Sequence, residues 1–305
     1  MCGVSIIFAN IIIISFILFL KTHKNHIFLH LIVFIWGFTA ILGRLIHLSA
    51  PILVGYRMGL SVVGIGLYAI FFRKNLLVTQ KHFWALAGIG LLVTGHWVCF
   101  FGAIKASNVS VTLAVLSVTT FFTALIEPIF YKRKIARYEL FLGGLVVLAI
   151  GLIFRFEPQY KLGIFLAAAA ALLAALFSVL NGLLINKVNA VAISFYEMLA
   201  GFVGINLYLA YSHTAWAMPN TLDWVYLLVL AWVCTAFAFV ASVDLLKKIT
   251  PYSIALATNL EPIYGILMAY FLFPATETMG MNFYLGAVFI VFLVIFNGVL
   301  KAQKP

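Results

Sequence analysis

The chain has 305 residues, 65% of them hydrophobic and only 9% charged, with a formal net charge of +11. That hydrophobic share excludes a soluble domain of this length and points to a polytopic membrane protein. The basic excess falls in short loops between apolar runs, so it reads as membrane orientation and excludes a nucleic-acid partner.

The first apolar run covers residues 4–20 and is followed by Lys21 and Lys24. It is at the lower limit for a span. It lacks the basic n-region of a secretory signal and an A-x-A-like cleavage site. An extra helix, an uncleaved anchor and an extension from a misplaced start all fit, and we read residues 1–27 as an appendage outside the functional core. Ten apolar segments of membrane length follow, at 28–47, 51–72, 82–104, 108–130, 138–155, 162–185, 190–211, 223–246, 251–273 and 282–300. All are expected to be helices, because a span must satisfy its own backbone. Short connections make successive helices antiparallel neighbours.

With residues 21–27 taken as cytoplasmic, fourteen Lys and Arg fall in inner loops and three, Lys105, Arg155 and Lys161, in outer ones. Only Arg44 and Arg57 remain within spans. The asymmetry predicts a cell-membrane protein whose core has both termini in the cytoplasm. Lys132, Arg133, Lys134 and Arg137 form the densest patch and are expected to meet anionic headgroups of the bilayer. Cys2, Cys99 and Cys234 show no metal spacing or pairing logic, and His is unclustered, so neither metal nor cofactor is expected.

The two parts of the chain match each other. At an offset of 140, Tyr56 and Met58 fall on Tyr196 and Met198. At 143, Lys105, Ser110 and Leu113-Ala114 fall on Lys248, Ser253 and Leu256-Ala257, and Leu142-Gly143 falls on Leu285-Gly286. Nearly constant offsets over five helices indicate duplication. Two tandem five-helix units must insert with opposite orientation, which predicts inverted repeats at 28–155 and 162–303.

At Trp36-Gly37-Phe38, Gly102-Ala103-Ile104-Lys105-Ala106-Ser107, residues 245–251 and Asn259-Leu260-Glu261-Pro262, the sequence resembles the EamA-type branch of the drug/metabolite transporter superfamily. The resemblance covers about residues 27–303. It implies ten helices in two inverted halves and movement of small metabolites, often outward. It carries no substrate-defining motif, and the run at 4–20 departs from the ten-helix pattern.

Candidate site residues are the polar groups placed within spans. Residues 249–273 carry Asn259, Glu261 and Pro262 at their centre. A carboxylate at that depth is costly without a partner or a watery cavity. Pro262 removes a backbone donor and strands the carbonyl of Thr258. On a regular helix Asn259 and Glu261 lie about 200° apart, so both face one cavity only if the proline opens the turn. At offset 143 the first half carries Leu116, Val118 and Thr119 instead. At offset 140, Arg57 meets Glu197.

The fork of Arg57 suits a substrate carboxylate or phosphate, or else snorkels to headgroups. Glu197 and Glu261 suit a substrate amine or a coupling proton. The plain alternative for Glu197 is a partner such as Lys187, and for Glu261 a polar neighbour inside the bundle. Trp36, Tyr56, His96, Trp97, Tyr196 and Tyr264 are candidates to line a pocket, and otherwise pack the core or face lipid. The pairs Glu127 with Lys132 and Arg133, and Asp244 with Lys247 and Lys248, read as local ion pairs. Gly55-xxx-Gly59 and the alanines at 167–171, 174 and 175 read as faces for close helix packing.

The function expected is that of a secondary transporter for a small polar metabolite, an amino acid or a relative, with possible proton coupling. An ATPase motif is absent, as are Gly-x-Ser-x-Gly and His-Glu-x-x-His, which disfavours primary transport and an intramembrane enzyme. A membrane scaffold is the remaining rival, and it has no need of charges inside spans.

Overall fold

The structure is a computed structural model. It describes residues 2–135, 141, 142, 144, 145, 148, 149 and 158–302, and of residues 2–23, 158, 294, 295 and 297–302 the backbone alone. Every regular element among the described residues is helical. In chain order these are α1 (Cys2–Leu45), α2 (Ala50–Phe71), α3 (Gln80–Ala106), α4 (Val109–Leu116), α5 (Thr119–Phe130), α6 (Lys161–Leu184), α7 (Ala190–Tyr211), α8 (Thr221–Leu228), a π-helical stretch (Val229–Phe237), α9 (Ala238–Leu245), α10 (Pro251–Thr258), α11 (Leu260–Leu272), a short α12 (Pro274–Glu277) and α13 (Met281–Ala302). They make eight apolar spans of membrane length, with α4 and α5 forming one, α8 to α9 another, and α10 with α11 a third. The segment expected at 138–155 lies largely outside the described residues.

The appendage expected before residue 28 is not a separate element. Helix α1 runs through it without a break. At 1.5 Å per residue a 44-residue helix is about 66 Å long, roughly twice the hydrocarbon thickness.

Polar caps start the helices. Thr79 accepts from the His82 amide, Asn108 from Val111, Asn189 from Ala192, Asn220 from Asp223 and Thr250 from Ser253. Pro51 and Pro251 sit at first-turn positions where the missing N–H is harmless. The cap positions themselves repeat: Ser49 with Asn189, Thr79 with Asn220 and Asn108 with Thr250, at offsets of 140, 141 and 142.

Equivalent caps lie at opposite ends of the bundle. One end gathers the termini of α1 and α3 and the starts of α2, α4, α6 and α8. There Gly163 packs on Ser107, and His47 bonds to Asp223. The other end gathers the starts of α3, α7 and α10 and the ends of α2, α5, α6 and α9. There Gly182 packs against Tyr131 and Pro251, and Asn189 bonds the Asn75 carbonyl at 2.7 Å.

Helix α3 packs on α6 and α7, and α2 on α7 and the π-helical stretch. A close backbone crossing lies at Gly90, where an added Cβ would stand 2.4 Å from the Glu197 carbonyl oxygen. The Gly55-xxx-Gly59 face admits rings instead of a helix backbone: the nearest atoms belong to Trp216 and Phe202. Ala167, Ala170, Ala171 and Ala175 are fully buried on α6.

Candidate functional site

Two broken helices cross at the centre of the bundle. The span holding Pro262 divides at Asn259, between α10 and α11. The cause is local: Pro262 cannot donate to the Thr258 carbonyl. At the break the side-chain amide of Asn259 folds back on the preceding turn and donates to the carbonyls of Ala255 and Leu256 at 3.1 and 3.0 Å.

The equivalent span of the first half is also broken, at Ser117 and Val118, without a proline there. Hydroxyls produce that break: Ser117 donates to the Ala114 carbonyl at 2.5 Å and Thr119 to Leu116 at 2.7 Å, competing with the helical ladder. The two breaks touch. Asn259 donates to Thr120 Oγ1 at 2.7 Å, and Thr120 donates to the Ala255 carbonyl at 2.8 Å.

Beside the crossing lies a cavity of about 130 Å³. At about 30 Å³ for each water it has room for about four waters, the space of a small metabolite. Arg57, Glu261, Asn259, Trp36, Trp97 and His96 line it together with Thr39, Asn181, Ser178, Ser242, Phe177 and Phe239. The break resolves the facing problem on α10 and α11, since both Asn259 and Glu261 reach the cavity.

Arg57 is fixed from two sides. Its Nε donates to Thr235 Oγ1 at 2.7 Å, and its guanidinium carbon lies 3.7 Å from the centroid of the Trp97 ring. Its Nη1 has no hydrogen-bond partner. The helix carrying Thr235 is π-helical over Val229–Phe237, and Thr235 donates to the Leu230 carbonyl five residues back. Wider turns of this kind concentrate at functional sites. The carbonyl of Ala231 accepts from Ser61 at 3.0 Å, and Trp232 donates to the Leu60 carbonyl at 3.1 Å, so α2 is stitched to this stretch one turn beyond Arg57.

Glu261 is buried and, among the described residues, forms neither a hydrogen bond nor an ion pair. One cavity is therefore lined by a cation and a carboxylate that form no ion pair with each other. His96 holds the Ala170 carbonyl through Nδ1 at 2.8 Å and stacks near Phe100.

Four predicted residues stand elsewhere. Glu197 is fully buried behind the wall, and its neighbour is Asn181, not Lys187: the Asn181 amide donates to Oε2 at 3.3 Å while Oε1 has no partner. Tyr56 packs edge-on against Trp216 and Trp224 and donates to the Ala217 carbonyl at 3.3 Å. Tyr196 packs on Phe83 and Phe195, and Tyr264 on Phe34. Arg133 lies 3.8 Å from Glu127, and Asp244 pairs with Lys247 at 2.5 Å.

Sequence reasoning missed Asn181, Thr39, Thr235 and Ser242, although each is a polar residue inside a span and that signal was available. It also missed Glu277. This fully buried carboxylate accepts from the amides of Val109 and Ser110, both at 2.9 Å, and from the Ser110 hydroxyl at 2.7 Å.

A helical multi-pass membrane protein with broken helices meeting beside a buried charged cavity belongs to the class of membrane transporters. The sequence matches the model of the EamA-like transporter family over residues 23–155 and 161–299, and the chain belongs to that family, within the drug/metabolite transporter superfamily. A solved crystal structure of a protein shares the fold, with a TM-score of 0.69 at 14% identity over 92% of this chain and 99% of that one. Likeness at that identity is one of fold alone. No curated protein matches the sequence.

Proposed function

We propose that this protein moves small zwitterionic metabolites, amino acids or their relatives, across the cell membrane by alternating access, in the outward direction. The observation that carries this reading is the pairing of Arg57 and Glu261 on one buried cavity without an ion pair between them. A substrate carboxylate fits the guanidinium of Arg57 and a substrate ammonium fits Glu261. The aromatic walls of Trp36, Trp97, Phe177 and Phe239 suit an apolar side chain.

The core is ten helices in two inverted halves, 28–155 and 162–303, with both core termini cytoplasmic. The repeated caps and the paired breaks support that arrangement. Glu197, reached from the cavity through Asn181, is the better placed of the two carboxylates to hold a coupling proton without competing for substrate.

Counterflow into sealed proteoliposomes tests the reading. The panel is amino acids, amines without a carboxylate and carboxylates without an amine. Saturable exchange of the amino acids alone is expected. Exchange of none of the three by folded protein overturns transport, and preference for either singly charged group overturns the zwitterion.

A further inference from the structure

A second concavity lies away from the central cavity, on the other face of α9. It is about 800 Å³ in volume and runs along the seam between α2 and the π-helical stretch with α9. Its long walls are apolar: Ile65, Leu67, Trp232, Phe237 and Val240, with Gly64 and Ala236 at the base. Leu67, Tyr68, Trp232 and Phe237 are half exposed, so the groove opens sideways to where the acyl chains of a bilayer lie.

The mouth, at the end of α2, is different. Arg73, Lys74 and Lys247 stand there with one carboxylate, Asp244, which is already paired with Lys247. Among the described residues, Arg73 and Lys74 have no ion-pair partner. The mouth is held open by fixed backbone. Asn189 at the head of α7 donates to the Asn75 carbonyl at 2.7 Å, and the Asn75 side chain accepts from the Leu77 amide at 2.8 Å.

An apolar trough with a cationic rim at one end matches an amphiphile carrying an anionic head. We propose that this groove binds an anionic phospholipid, with the phosphate on Arg73 and Lys74, its polar glycerol near Asn75 and Asn189, and one acyl chain along Trp232 and Phe237. By the loop charges the mouth faces the cytoplasmic leaflet, where such lipids supply the negative surface. The central cavity is unsuited to this ligand because its charges are enclosed and its volume is a fraction of the groove's. The proposal stands independently of what the central cavity carries.

The test uses the full chain with dibrominated phosphatidylglycerol and dibrominated phosphatidylcholine, whose bromines quench nearby tryptophan. Phosphatidylglycerol is expected to quench saturably, and Trp232→Phe to remove the saturable component. Arg73→Gln with Lys74→Gln is expected to weaken binding about thirtyfold, at about 1 kcal/mol for each charge. Lys132→Gln with Lys134→Gln, at the densest basic loop, is expected to leave it unchanged. Equal affinity for phosphatidylcholine overturns the proposal. So does equal weakening by the two double variants, which is attraction to the surface as a whole. Persistence of the saturable component in Trp232→Phe overturns the placement in this groove. Unaltered melting of the variants in detergent separates loss of binding from loss of fold.

Discussion

Arg57 is held by a hydroxyl on one edge and a ring on one face, and its side chain lines the cavity. A planar fork can meet those three demands together, and an ammonium cannot. Arg57→Lys is therefore expected to raise KM for an amino acid about ten- to a hundredfold, the worth of a charged hydrogen bond. Glu261→Gln is expected to raise KM for amino acids by a similar factor. Steady-state counterflow reads both, and an unchanged KM in both variants removes these residues from the substrate site. If Glu261→Gln instead keeps its KM and loses the response to a pH gradient, the carboxylate carries the proton and not the amine.

The elements differ in how closely they approach, and a glycine permits one close contact between backbones. An added Cβ at Gly90 meets the Glu197 backbone, the oxygen at 2.4 Å and the Cα at 2.9 Å, whereas Gly88 on the opposite face meets nothing within 4 Å. Backbone cannot rotate away as a side-chain tip can. Gly90→Ala is expected to destabilise the fold by about 1–3 kcal/mol through overpacking. Gly88→Ala is expected to leave stability unchanged or slightly raised. Thermal melts in detergent compare the pair, and equal melting temperatures contradict the close crossing of α3 and α7. The two broken spans teach a related point. A proline announces the break at Asn259, but the equivalent break at Ser117 and Val118 is made by hydroxyls that compete with the ladder. Serine and threonine are common in helices and give no such notice.

Across the whole molecule the polar ties are unevenly shared between the two ends. At the end holding Lys105, the two halves of the chain are joined by His47 with Asp223, Asn108 with the Thr276 carbonyl, and Glu277 with the start of α4. Lys105 adds a bond to the Ile46 carbonyl at 3.0 Å. The central cavity extends the other way, toward Leu246 and Ile254. On the topology proposed above, with the core termini cytoplasmic, this corresponds to an outer side closed and an inner side reachable. Glu277 is the strongest tie, with three donors on one carboxylate at the positive end of a helix. Glu277→Ala leaves those donors buried and unpaired, at a cost of about 3 kcal/mol. The expected result is a lower melting temperature and faster reaction of a cysteine placed at Trp97 with an impermeant thiol reagent added from outside. Unaltered reactivity and melting exclude Glu277 as a closure.

Much of this was legible in the sequence, because composition and periodicity are local. A hydrocarbon solvent admits long apolar helices and little else, so the number of apolar runs and the loop charges carry the class of protein. Duplication left constant offsets, and family motifs survived in the same stretches. Depth within a span could also be read, and it singled out Arg57, Glu197, Asn259 and Glu261. What sequence could not supply was which face each helix turns inward. That rotation separates His96 and Trp97, on the cavity, from Tyr56, Tyr196 and Tyr264, which pack elsewhere. It puts Glu197 one residue behind the wall and brings Asn181 forward. The π-helical stretch and the reach of Glu277 to a helix start 168 residues away are likewise products of packing. Sequence determined a membrane transporter with a charged, broken helix at its middle. The tertiary structure alone decided which charges share a cavity, because that depends on helix rotation and crossing, quantities fixed by contacts between distant parts of the chain.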